Sequence, residues 1–359
     1  MLAVARMDCS ETMKARTAWM AAAWLISAAA VTAGEWPAVP GAVLAVRTTK
    51  TTDPVIAFDA KGRELFGFSC AARGRALPGS AFEMVCDGGS FLARDAGKWI
   101  GTKLASAPGF TVEATIVPAL GRPESPATVL SYGESFALRQ RGGGLAMTFG
   151  GGAPVELFPV EAGKPVHVLI SCGGKEWTAY RDGKKAAAGT RPAARVSWEQ
   201  ADLVMGSQAD GAQPWRGRME AVAIFPAALT AENAASQAEA AAVLRAGRAE
   251  VTALKFRGSL LRQASTSSLE DIRPYSRSLT AAEYKVDAVL SGDWKEPTIT
   301  VLHWMIMDGK RLPLADRKPG TAVELSVRPL AQQPQLEGSR RDELPDTDLD
   351  AELFYCETE

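Results

Sequence analysis

HVLISC (His167–Cys172) and EWTAYRDG (Glu176–Gly183) decide the fold. Both are short apolar or alternating runs, the period of a strand. Between and after them stand the residues that reverse a chain, Gly173-Gly174 and Asp182-Gly183. An Asp-Gly pair accepts the positive φ of a tight hairpin turn, so the second strand should fold back on its neighbour.

Working outward, the same pattern recurs on both sides. AVLAVRT, SFLAR, FTVEATIV, ATVLSYG, FALRQR, LAMTFG and VELFPV precede the hairpin, and DLVMGS and RMEAVAIF follow it. Each run is bounded by Gly, Pro or Asp at regular spacing, the signature of an all-β sandwich. From Thr230 to about Leu254 the chain turns Ala- and Glu-rich with helical spacing, which predicts a helix that closes the first domain. A Ser/Thr stretch leads to a second β pattern, EYKVDAVL, PTITVLHWMIM and AVELSVRPL, with DGK and KPG as turns. The expected organisation is a jelly roll over 36–245, helix and linker over 246–265, and a small C-terminal β-sandwich-like domain over 266–359. Alternation in TITVLHWMIM covers both of its faces with apolar side chains, so that strand is expected to be central and its aromatics core.

The chain has 40 Lys and Arg against 41 Asp and Glu, a net charge of −1, and is 47% hydrophobic. It can bury cores, and it offers no electrostatic footprint for nucleic acid or an anionic membrane. At the N-terminus, Met13 is followed by Lys14 and Arg16, an apolar run Thr17–Val31, and small residues ending at Ala33. That is the layout of a secretory signal over 1–33, its start at Met13. The apolar run falls short of the roughly 20 residues a spanning helix needs. The expected location is secreted, periplasmic or cell-envelope, with no membrane span once the signal is removed. Cys70, Cys86, Cys172 and Cys356 then remain, and Cys70 with Cys86 is the local choice for a bridge. Cys172 reads equally as a buried free thiol.

Read together, Tyr180, Asp182 and Gly183, then Leu203, Val204 and Gly206, then Trp215, Gly217, Glu220, Ile224, Phe225, Leu229 and Thr230 resemble the closing half of a LamG-like jelly roll of the concanavalin A-like lectin/glucanase superfamily. GGSFLAR and FTVEATIV resemble its early strands. The whole arrangement also resembles exported planctomycete-type bacterial proteins. The resemblance implies a concanavalin A-like jelly-roll β-sandwich and a secreted carbohydrate-binding or adhesion-type module. Trp215, Asp210, Arg216 and Tyr132 are then the candidate ligand-binding residues. Trp215 has two readings, a plug in the sandwich or a stacking platform for a sugar ring. Polysaccharide or a glycoprotein glycan is the expected partner, or else a cell-envelope protein. Calcium is a candidate ion, and no other cofactor is implied.

No catalytic constellation is expected. A glycosidase needs two carboxylates across the scissile bond, whereas Glu113, Glu156 and Glu220 stand alone on their strands and read as outward, solvated residues. His167 and His303, the two histidines of the chain, read as hydrogen-bonded at a sheet surface or core edge. No G-x-S-x-G occurs. Gly142–Gly144 and Gly150–Gly152 read as hairpin turns, since no Lys-Ser/Thr follows them. Asp346, Asp348, Asp350 and Glu357 approach an EF-hand spacing, but Ala351 stands where the sharp turn needs glycine. A structural component of the cell envelope, or a diverged polysaccharide hydrolase or lyase, are the competing functions.

Overall fold

The computed structural model describes residues 41–46, 55–59, 63–79, 83–191, 201–247, 252–346 and 351–356. The signal expected over 1–33 lies outside them. Among the described residues, strands dominate and two α-helices occur. No helix among them is long and apolar enough to cross a membrane.

The first body is a two-sheet antiparallel sandwich of the jelly-roll kind. At the centre of its ten-stranded sheet, Gly109–Pro118 pairs with Val166–Gly173 on one side and Arg216–Phe225 on the other. The opposing seven-stranded sheet runs from Val155–Pro159 through Phe136–Arg141 and Leu203–Met205 to Ala71–Arg73. Alternation decides which side chains meet between the sheets. Phe110, Val112, Ala114 and Ile116 point inward and pack with Phe136, Phe149, Met205 and Trp215. The Phe110 ring meets Phe136 and Phe149 edge-on at 6.4 and 6.5 Å, a favoured geometry for aromatic quadrupoles. The turn that fixed the reading behaves as its chemistry requires, with Asp182 at φ 49° and Gly183 at φ 77°.

Two helices attach to the sandwich. Helix α1 (Arg94–Leu104) was not anticipated; it buries Ala96, Gly97, Ile100, Gly101 and Leu104 on one face. A Cβ on Gly97 would come within 1.6 Å of the Ala201 carbonyl oxygen, so only glycine permits this approach. Helix α2 (Ala231–Ala246) starts with the capping box that Thr230 and Asn233 foreshadow. It ends eight residues before Leu254, where the sequence pattern had extended it.

The C-terminal body corrects two expectations. The stretch 246–265 is not merely helix and linker, because Leu254–Gln263 is a strand whose Leu254, Phe256, Gly258 and Leu260 are buried while Lys255 and Arg257 are exposed. The body itself is a closed ring, not a small sandwich. Leu254–Gln263 pairs with Ser278–Ser291, which pairs with Thr298–Met307. Thr298–Met307 runs parallel to Leu353–Tyr355, which pairs with Ala322–Pro329, and that strand returns to Leu254–Gln263. Counted along the chain the order is 1-2-3-5-4 closing on 1, the connectivity of a five-stranded Greek-key barrel of the OB type. Ring closure depends on the 14-residue strand Ser278–Ser291, whose register shifts three times against its first neighbour and so bends it around the barrel. Phe256, Tyr284, Val301, Leu325 and Phe354 fill the interior. Thr298–Met307 is central as expected, with both faces covered.

Candidate functional site

The four residues expected at a ligand site do not form one. Trp215 is 1% exposed, and its Nε1 donates to Gln140 Oε1 at 2.9 Å. It is the plug of its two readings. Tyr132 is equally buried and donates its hydroxyl to Gly97 O at 2.7 Å. Asp210 caps its own exposed turn by accepting from Ala212 N. Arg216 alone reaches toward a concavity, its Nε 3.5 Å from Asp87.

That concavity is a cleft of about 710 Å³ between sandwich and barrel. The hairpin of Ala76–Pro78 and Met84–Asp87 supplies Arg75, Leu77, Val85 and Asp87. The barrel strand Thr298–Met307 supplies His303, Trp304 and Met307, and the connection 312–321, around a 3-10 turn at Pro313–Asp316, supplies Leu312, Arg317 and Lys318. The two walls are held together at the hairpin's base. Arg277 donates to Ala76 O at 2.7 Å and to Asp308 Oδ1 at 2.9 Å, while Asp308 accepts from Gly74 N. Leu77 completes the joint by packing into the apolar cluster of Trp304, Met307 and Leu336 on the barrel's outer surface.

One wall of the cleft is therefore apolar and its rim is charged. Asp87 accepts from Arg75 Nε at 2.8 Å, and Asp316 accepts from Arg311 Nη2 at 3.2 Å. His303, buried at the floor, shares a 2.9 Å hydrogen bond with the Tyr284 hydroxyl, to which Arg317 Nη1 donates at 3.5 Å. The indole nitrogen of Trp304 is occupied by Tyr355 Oη at 3.0 Å. An apolar platform ringed by fixed donors and acceptors is the arrangement that pockets for small organic ligands share.

A second polar set lies under α2, and it corrects the reading of Glu113 and Glu220 as solvated. Both point out of the ten-stranded sheet, yet they are 5% and 8% exposed. Helix α2 covers that face. Glu113 Oε1 lies 2.9 Å from His167 Nε2, and Glu220 Oε2 accepts from Arg245 Nε at 3.0 Å. Glu156 alone is solvated, 62% exposed and paired with Arg141. His167 is hydrogen-bonded on a sheet surface, as expected.

The remaining expectations resolve locally. Gly142, Gly150 and Gly151 adopt positive φ in hairpin turns. Asp346 pairs with Arg262 at 2.6 Å, while Asp348, Asp350 and Glu357 lie outside the described residues. Among the described residues no group of three or more His, Cys, Asp or Glu is placed to hold a metal. Cys70 and Cys86 are free thiols here, against the expected bridge, as are Cys172 and Cys356. Cys70 precedes a strand of the seven-stranded sheet and Cys86 lies in a strand of the ten-stranded one, so closeness in sequence did not translate into a local pair. Burial pushes the Cys70 and Cys172 thiols up to about 12 and Cys86 higher still.

Residues 95–235 match the family model of the concanavalin A-like lectin/glucanases superfamily. No curated protein matches the chain, and the resemblance to planctomycete-type proteins gains no support. Among solved structures, a Trypanosoma rangeli sialidase in complex with 2,3-difluorosialic acid is similar at 15% identity and a TM-score of 0.44, over 60% of this chain and 37% of its own. Domain 4 of AbnA, a GH43 extracellular arabinanase from Geobacillus stearothermophilus in complex with arabinotriose, is similar at 16% identity and 0.37, over 48% of this chain and 89% of that one. The binding domain of botulinum neurotoxin DC in complex with rat synaptotagmin II is similar at 10% identity and 0.45, over 80% and 73%. The chain thus spans little more than a third of the sialidase's length.

Proposed function

We propose that the protein is an exported, non-catalytic module that binds a saccharide chain in the cleft between its jelly roll and its barrel. The observation that carries this reading is the cleft's composition. Leu77, Trp304, Met307 and Leu312 give an apolar wall for the C–H face of a sugar ring, and Arg75, Asp87, Lys318 and Thr321 give donors and acceptors for its hydroxyls. Two kinds of support stand beside it, both at the level of fold. The jelly roll carries the match to the lectin/glucanase superfamily, and OB-type barrels are a scaffold on which oligosaccharides and oligonucleotides are bound. The chain's net charge of −1 favours the saccharide of those two. Asp87 and Asp316 each accept from arginine, a setting for fixed hydrogen-bond acceptors in place of a general acid and a nucleophile. Export rests on the layout of Met13 to Ala33.

Retention on a panel of immobilised polysaccharides, with and without calcium, tests the reading, followed by calorimetry with the retained saccharide. Lys318→Ala and Leu312→Arg, both at the cleft's accessible rim, should weaken binding about tenfold or more, and prolonged incubation should release no shorter sugars. Absence of retention by every polysaccharide, with co-purification of a protein partner instead, would transfer the assignment to an envelope interaction component. The strand Glu64–Phe68, with Leu65 and Phe66 exposed, is the surface that such a partner would use.

A further inference from the structure

The recess under α2 is built for a ligand that the cleft does not explain. It has a volume of about 490 Å³, and it is lined by His167, Asp182, Lys184, Glu239 and Arg245 together with alanines of the helix. A helix that covers a sheet ordinarily fills the gap with large apolar side chains. Here Ala235, Ala238, Ala241 and Ala242 face the recess, and Ala234 is the one described residue of α2 that is fully buried. The small side chains leave space above a polar patch of the sheet.

That patch is unsatisfied. Thr115 and His167 are register partners on adjacent strands, and Glu113 lies on the same face two residues from Thr115. The Thr115, His167 and Glu113 side chains are all more than nine-tenths buried, and Thr115 Oγ1, His167 Nδ1 and Glu113 Oε2 have no hydrogen-bond partner. Three such atoms side by side are uncommon in a native structure, because each costs free energy unless something answers it. No side chain of α2 among those lining the recess does so at its inner end, since the helix presents alanine there.

We propose that this recess binds a small molecule through a primary ammonium group. With His167 Nε2 donating to Glu113 Oε1, the inner end presents two acceptors, Glu113 Oε2 and His167 Nδ1, and a hydroxyl, Thr115 Oγ1. A three-proton donor matches that set, and an anion does not. The surrounding charge has the right sign: Glu113, Asp182, Glu220 and Glu239 outnumber Lys184, Arg245 and Arg181, the last paired with Asp182. Asp182 is already engaged, since its Oδ1 accepts from His167 N, so Glu113 is the carboxylate left for the ligand.

With two histidines in the chain, the imidazole nitrogens of the full-length protein can be followed directly by nitrogen-15 NMR. Ethanolamine is the probe, with ethylene glycol and glycolate as its neutral and anionic counterparts. The expected result is a saturable shift of His167 Nδ1 on adding ethanolamine, silence at His303, and no shift with the counterparts. Glu113→Gln, which keeps shape and removes charge, should weaken binding about tenfold or more. Ala238→Leu should abolish the shift by filling the recess without touching the polar atoms. No saturable shift would overturn the proposal, and so would equal binding of ethylene glycol. If Ala238→Leu raised the melting temperature while ethanolamine left wild type unmoved, the recess would be a water-filled packing defect.

Discussion

Replacing Trp215 with Phe separates a structural plug from a sugar platform, because the two roles lose different things. In the fold the indole is 1% exposed and donates to Gln140, itself 1% exposed, whose amide is committed to Leu120 O at 2.5 Å. Phenylalanine would leave Gln140 Oε1 buried without a donor, a cost of about 1–2 kcal/mol. It would also open roughly 40 Å³, adding about 1 kcal/mol at the usual cavity coefficient. The total, about 2–3 kcal/mol, lowers the melting temperature by roughly 4–12 °C if the sandwich melts as a unit. Urea unfolding followed by near-ultraviolet circular dichroism reads the loss, and calorimetry on the saccharide retained by wild type should find its affinity unchanged. A stability loss under about 1 kcal/mol combined with loss of saccharide binding would refute the plug assignment.

Arg277→Ala should loosen the joint between sandwich and barrel, removing the bonds to Ala76 and Asp308 at a cost of about 2–4 kcal/mol. Hydrogen exchange should rise at Gly74–Pro78 while Gly109–Pro118 keeps its protection; unchanged exchange at the hairpin would contradict the clamp. The buried thiols make stability fall with rising pH. Cys70 and Cys172 stay neutral in the fold up to about 12, whereas in the unfolded chain they ionise near their ordinary value of 9.0. Their contribution is therefore complete below about pH 9 and is lost progressively between there and about 12. Urea midpoints across that window should decline, and replacing Cys172 with Ala should flatten the decline; an unaltered slope would show that thiol burial is not its source.

Much of this architecture is written in short-range patterns. Asp182-Gly183 names a hairpin turn, Thr230 to Asn233 names a helix start, and the alternation of FTVEATIV names a strand with one face inward. What the pattern cannot express is what lies above the other face. Glu113 and Glu220 are outward by alternation and would be solvated on an open sheet, but they are buried because α2 returns over them. An alanine-rich helix carries no apolar stripe that announces such a docking. Helix α1 escaped notice for a related reason, since Gly97 and Gly101 interrupt its apolar period and are tolerated through close packing. Ring closure of the barrel joins strands far apart in the chain, and the cleft is assembled from the hairpin near Leu77 and the turn near Arg317. No local motif connects them. Trp304 was readable as a core aromatic, yet its place at the edge of a cleft depends on a domain contact that the sequence does not display.

The account rests most heavily on saccharide occupying that cleft, and methyl-resolved NMR of the protein titrated with its retained oligosaccharide tests this directly. The methyl signals of Leu77, Met307 and Leu312 and the indole signal of Trp304 should shift together and saturate at one affinity. Shifts confined to the outer surface of the seven-stranded sheet, around Arg139 and Thr148, with those four signals still, would contradict it.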